Sequence, residues 1–134
     1  MLYPIIYQKE KYDCGPACIG MICAFYNKSV SVNEICHMAN TDEKGTNIWN
    51  MQSTLKLLGF QTIAIKINDF VLVYDFLIPT IAVIRTFSDL NHYVVIYKKL
   101  KDNIIIGDPE KGLVEIKVSK FLNKFTGFLI IPKK

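Results

Sequence analysis

The sequence predicts an α+β protein, with N-terminal helices packed on a C-terminal antiparallel β-sheet. Three observations carry this. Before Gly59, apolar residues recur at the three- and four-residue spacing of helices with a buried face; after it, they fall in short runs rich in Ile, Val and aromatics. Helices grouped first and strands second put the two kinds of element in separate layers. Finally, 134 residues that are 51% hydrophobic can bury one core. One domain over 1–134 is expected, helical over about 1–59 and sheet over about 60–134.

The first helix is expected from Cys14 to Tyr26. Its apolar stripe is Ala17, Cys18, Met21, Ile22 and Phe25, with Asp13 as N-cap and Pro16 in the first turn. A second helix over 31–38 opens with a Ser31/Glu34 capping box. Thr46 is expected to cap a third, over 47–58, which Gly59 stops. Trp49, Met51 and Leu55 make this helix more apolar than one stripe needs; core packing is the favoured reading for them, and exposure of some is the alternative.

Strands follow over 60–67, 80–85, 93–97, 104–106, 113–118 and 128–131, with turn signals at Lys101-Asp102-Asn103 and Lys111-Gly112. Segment 69–76 is ambiguous between loop and short helix, and 119–124 reads as one or two helical turns. The polar segment 85–90 is expected to be a hairpin turn that shapes substrate choice.

Composition excludes several classes. A formal charge of +4 with scattered lysines is a solvated surface and not a nucleic-acid footprint. No apolar run is long enough to span a bilayer, and Met-Leu-Tyr-Pro does not open a signal peptide, so a soluble cytoplasmic domain is expected, without membrane insertion. Cys14, Cys18, Cys23 and Cys36 are then reduced thiols, the last three read as core, and their spacing with His37 does not match the common zinc patterns. No metal or cofactor is expected, His37 reads as a surface or helix-packing residue, and a monomer is the default.

Cys14 stands apart because it opens a helix. A cysteine attacks as thiolate, which the positive end of a helix dipole favours. It also needs a base, and of the two histidines His37 lies inside a helix whereas His92 opens a strand that would hold its ring rigidly. Asp108 ends the strand that returns beside His92 and can orient the imidazole. Gln8, six residues before Cys14, offers an amide that, with the Cys14 N–H, would stabilise an oxyanion.

These residues carry a resemblance. Gln8, Asp13-Cys14-Gly15-Pro16-Ala17-Cys18, Gly45-Thr46, Leu58-Gly59-Phe60, His92-Tyr93-Val94-Val95, Asp108-Pro109 and Thr126-Gly127-Phe128 stand in the order found in the double-glycine leader peptidases. These are papain-like cysteine peptidases of bacteriocin-exporting ABC transporters. The resemblance runs from Gln8 to Ile131 and implies a papain-like fold with Cys14 as nucleophile, His92 as general base and acid, Asp108 as orienting carboxylate and Gln8 as oxyanion donor.

It further implies a substrate: a bacteriocin, lantibiotic or signalling precursor cut after a Gly-Gly or Gly-Ala leader end. The leader's remainder would lie as an amphipathic helix in an apolar groove. Partners would be the transmembrane and ATPase domains of a transporter at the cytoplasmic face of the membrane. Two other readings share the scaffold: a module that binds leaders without cutting them, and a papain-like amidase or acyltransferase of other specificity.

Overall fold

The computed structural model describes residues 2–68, 78–86 and 91–134. The readings for 69–76 and for the tip of the 85–90 turn lie outside the described residues. Three helices come first: α1 (Cys14–Phe25), α2 (Val32–Met38) and α3 (Ile48–Leu57). Strands β1 (Gln61–Lys66), β2 (Thr80–Ile84), β3 (His92–Lys99), β4 (Asn103–Asp108) and β5 (Gly112–Lys117) follow, then helix α4 (Val118–Lys124) and strand β6 (Phe125–Lys133). All six expected strands are present, and 119–124 belongs to α4.

The strands form one antiparallel sheet in the order β1-β6-β2-β3-β4-β5. Alternation along the central strands divides the sheet's two faces. Ile81 and Val83 of β2 and Tyr93, Val95 and Tyr97 of β3 join the core formed with α1 and α3. Ala82, Ile84, Val94 and Ile96 face the other way, into a second core closed by Phe121 of α4. The sheet is therefore covered on both faces, which the pattern of a single helical half did not foretell.

Helix α1 departs from its expected stripe: every residue from Cys14 to Cys23 is buried. It lies between the sheet and the other two N-terminal helices, and a helix apolar all round belongs in such a place. A Cβ on Gly20 would stand 2.9 Å from Ile6, so the N-terminal segment closes a further side.

The caps also differ from expectation. Ser31 caps α2 by accepting from the Glu34 N–H at 3.1 Å, but Glu34 accepts from the Ser31 hydroxyl at 3.2 Å, whereas a capping box would use the backbone. At α3 the cap is Asn47, accepting from the Asn50 N–H at 2.7 Å, and not Thr46. Thr46 is engaged elsewhere: its hydroxyl pairs with that of Thr41 at 2.6 Å, and its carbonyl accepts from the Tyr93 hydroxyl at 2.6 Å. Met51 and Leu55 are core as expected, but Trp49 is 75% exposed.

Candidate active site

Cys14 is the first residue of α1 and His92 the first of β3, and the carbonyl of Asn91, the residue before His92, lies 3.9 Å from the Cys14 sulfur. Asp13 occupies the N-cap position, yet its carboxylate does not accept from the first turn of α1. One oxygen takes the Glu10 N–H at 3.2 Å and the other the Cys36 thiol at 3.6 Å. The Asp13 carboxylate is thus turned from the first-turn N–H groups of α1, which it leaves without a side-chain cap.

Sheet register explains how Asp108 reaches the histidine. Val95 pairs with Gly107 across β3 and β4, so Asp108 falls opposite Val94, diagonal to His92 and on the same face. His92 Nε2 stands 2.8 Å from Asp108 Oδ1, with both side chains 8% exposed. The Glu110 N–H also donates to Oδ1, at 2.8 Å, so Asp108 both starts the turn before β5 and holds the imidazole. With Nε2 taken, Nδ1 is the nitrogen left for the sulfur.

The charges reinforce one another. Burial alone would lower the His92 pKa, but hydrogen bonds to Asp108 and Cys14, with their charges, raise it to about 9. Burial alone would raise that of Asp108, but the His92 bond, followed by the Glu110 N–H and the imidazole charge, brings it below its ordinary value. Near neutral pH the pair is therefore imidazolium and carboxylate.

Gln8 is drawn to the same corner. Its backbone N–H donates to the Pro109 carbonyl at 2.9 Å, one residue past Asp108. Its amide nitrogen donates to the Glu10 carbonyl at 3.1 Å, and that carbonyl also accepts the Asp13 N–H at 3.0 Å. The carboxamide is thereby tied beside the start of α1, with one of its two N–H donors committed to Glu10. Its Oε1 is buried without a hydrogen-bond partner among the described residues.

Three contacts were not legible beforehand. The Cys14 thiol donates to the Asn91 carbonyl at 3.9 Å, and Tyr93 binds Thr46 across the site. Cys36 proves half-buried and not core, because its thiol is spent on Asp13; burial and the Asp13 carboxylate push it up to about 11. Cys18 and Cys23 are fully buried, as expected, and His37 is exposed.

Two cavities flank the site. One of about 510 Å³ is lined by Cys14, Asn91, Tyr93, Gly45, Thr46 and Asn47 among others. The second, about 450 Å³, meets His92 and Asp108 from the α4 side and has apolar walls at Ile84, Ile106, Val114 and Phe121. A thiol at a helix start, a protonated imidazole held by a buried carboxylate and an open cleft at the sulfur together suit nucleophilic attack on a carbonyl.

Comparison with known proteins agrees with this chemistry. Residues 2–134 match the Peptidase C39 family. The lactococcin-G-processing and transport ATP-binding protein LagD of Lactococcus lactis is 38% identical over 130 residues, 96% of this chain and 18% of that protein. Thus the chain spans under a fifth of that relative's length. The peptidase domain of Streptococcus ComA, an ABC transporter involved in quorum sensing, superposes with a TM-score of 0.91 at 26% identity, covering 98% of each chain. A double glycine motif protease from an AMS/PCAT transporter, solved with its leader peptide, gives 0.89 at 26% identity, covering 98% of this chain and 91% of that one.

Proposed function

The chain belongs to the Peptidase C39 family, and on that premise we propose that it cuts the leader from a precursor peptide after a Gly-Gly or Gly-Ala pair. Cys14 is the nucleophile, His92 the base and acid, Asp108 the group that orients it, and Gln8 with the Cys14 N–H the oxyanion donors. The observation that carries the reading is the buried pair of His92 and Asp108, 2.8 Å apart, beside Asn91, whose carbonyl accepts from Cys14 at the start of α1.

The steps follow from the charges. Cys14 thiolate attacks the carbonyl carbon of the last leader residue, and negative charge collects on its oxygen, beside the start of α1. Protonated His92 then gives its proton to the amine of the departing core peptide as the C–N bond breaks. Water loses a proton to the now neutral His92 and attacks the thioester carbonyl, and Cys14 leaves as thiolate. Asp108 stays ionised throughout and keeps Nδ1 turned to the sulfur.

The relatives suggest the setting: the domain would work with the transmembrane and ATPase parts of an ABC transporter, in the same or another chain, at the cytoplasmic face of the membrane. The test is a synthetic leader–core peptide with a Gly-Gly leader end, incubated with the wild-type domain and with Cys14→Ala and analysed by mass spectrometry. A cut directly after the second glycine, lost in the variant, is expected. Binding of several leaders without cutting would replace the peptidase with a tethering module, and cutting without regard to the last two leader residues would favour a papain-like enzyme of other specificity.

A further inference from the structure

Gly45 and Thr46, between the α2 loop and the cap of α3, line the 510 Å³ cleft together with Cys14 and form a wall beside it. It is held from three directions. Asp42 and Gly45 pair with each other through N–H to carbonyl bonds of 2.9 and 3.3 Å, closing a tight turn with Gly45 at φ +93°. The Thr41 hydroxyl holds that of Thr46 at 2.6 Å. From the opposite half of the protein, the Tyr93 hydroxyl donates to the Thr46 carbonyl at 2.6 Å, a buried bond.

The third restraint differs in kind. Tyr93 follows His92 on β3, so the strand that positions the base also reaches over to hold the wall. Side chains alternate along a strand, which sends His92 to one face and Tyr93 to the other, toward α1. There its ring lies 3.4 Å from where a Gly15 Cβ would stand, under the residue that follows the nucleophile. Burial raises the Tyr93 pKa, so its hydroxyl stays a donor. Sheet, nucleophile and wall are thereby set at one spacing by one side chain.

We infer that Tyr93 is a positioning residue for leader selection: by holding the Thr46 carbonyl it fixes the wall beside Cys14 and so limits the size of the residues admitted at the leader's end. This rests on the proposed cleavage after small residues. Without the hydroxyl, the Thr46 carbonyl is left unpaired in a buried place and the wall moves to regain a partner. A wall free to move no longer excludes a Cβ at the position before the last, so discrimination between Gly-Gly and Ala-Ala falls while the chemistry at Cys14 and His92 persists.

The test compares wild type, Tyr93→Phe and Thr41→Ala on peptides whose leaders end in Gly-Gly, Gly-Ala and Ala-Ala, with kcat and KM measured separately. In wild type Gly-Gly is preferred. In Tyr93→Phe the preference over Ala-Ala is expected to shrink about tenfold, mainly through KM, with kcat for Gly-Gly within about threefold of wild type. Thr41→Ala, which frees the wall from the other side and leaves the Tyr93 ring packed, is expected to relax selection in the same direction and decides the matter should Tyr93→Phe not fold. Equal loss on all three peptides, or unchanged preference, overturns the inference while leaving the peptidase intact. A wild-type domain that cuts without preferring small residues overturns the cleavage reading and this inference with it.

Discussion

Nε2 of His92 lies 2.8 Å from Oδ1 of Asp108, a buried pair that puts the imidazole's charge under the control of one carboxylate. Since the His92 pKa is raised to about 9, the acid proposed to protonate the leaving amine is present at neutral pH and lost as pH rises through about 9. The alkaline limb of kcat/KM is expected near pH 9 in wild type. In Asp108→Ala it should fall toward the ordinary histidine value of about 6.5, and at pH 7.5 titration alone then costs roughly tenfold. A pH profile of the two proteins measures this, and an unmoved limb would sink the assignment.

The same pair makes stability depend on pH. His92 binds its proton more tightly folded than unfolded, so its contribution is complete below about pH 6.5 and lost as pH rises through about 9. Asp108 has a lowered pKa, so its contribution is complete above its unfolded value and lost as pH falls through the folded one. Urea melts of wild type and Asp108→Ala should therefore differ most between these limits, and the difference should narrow at alkaline pH to what the Glu110 N–H bond to Asp108 contributes.

Gln8 is assigned the oxyanion. Gln8→Ala is expected to lower kcat by about 10²- to 10³-fold with KM little changed, the signature of a donor used only in the transition state. A loss of less than about threefold would move the donor elsewhere.

The four thiols should react unequally with iodoacetamide at pH 7.5. Cys18 and Cys23 are buried and burial raises their pKa values, while the thiol of Cys36 is pushed up to about 11 and donates to Asp13. Cys14, which lines the cleft, is expected to take the first label, with cleavage lost in step. Peptide mapping by mass spectrometry reads the order, and prior labelling of Cys36 would contradict it.

Helix α3 offers a contrast in stability. Met51 is fully buried and its sulfur would lie 2.8 Å from a Cβ on Gly15, so Met51 is packed under the nucleophile's helix. Met51→Ala is expected to cost about 2–5 kcal/mol, measured by urea unfolding. Trp49→Ala, two residues away but on the open side, should stay within about 0.5 kcal/mol.

Most elements could be read from local pattern, because period and turn chemistry are properties of neighbouring residues. Errors came where two residues were locally equivalent. Thr46 and Asn47 both suit an N-cap, and only the Thr41 and Tyr93 bonds to Thr46 leave the cap to Asn47. Asp13 likewise has the right type and position, but Glu10 and Cys36 take its oxygens. Residue type alone favours the core for Trp49 and Cys36, but burial depends on what another layer covers, and the structure leaves Trp49 exposed and Cys36 half-buried.

Order along the chain was enough to nominate Cys14, His92, Asp108 and Gln8, since a candidate nucleophile, a base, its partner and an amide each stand out by residue type and by the element they open or close. What those names lack is distance. The diagonal of His92 and Asp108 depends on the register of β3 against β4, and the turning away of the Asp13 carboxylate on where α2 lies. The bond from Tyr93 to Thr46 depends on how the sheet docks on the helices. Each joins residues far apart in the chain, and such contacts are selected by packing of the whole core, which no local stretch of residues encodes.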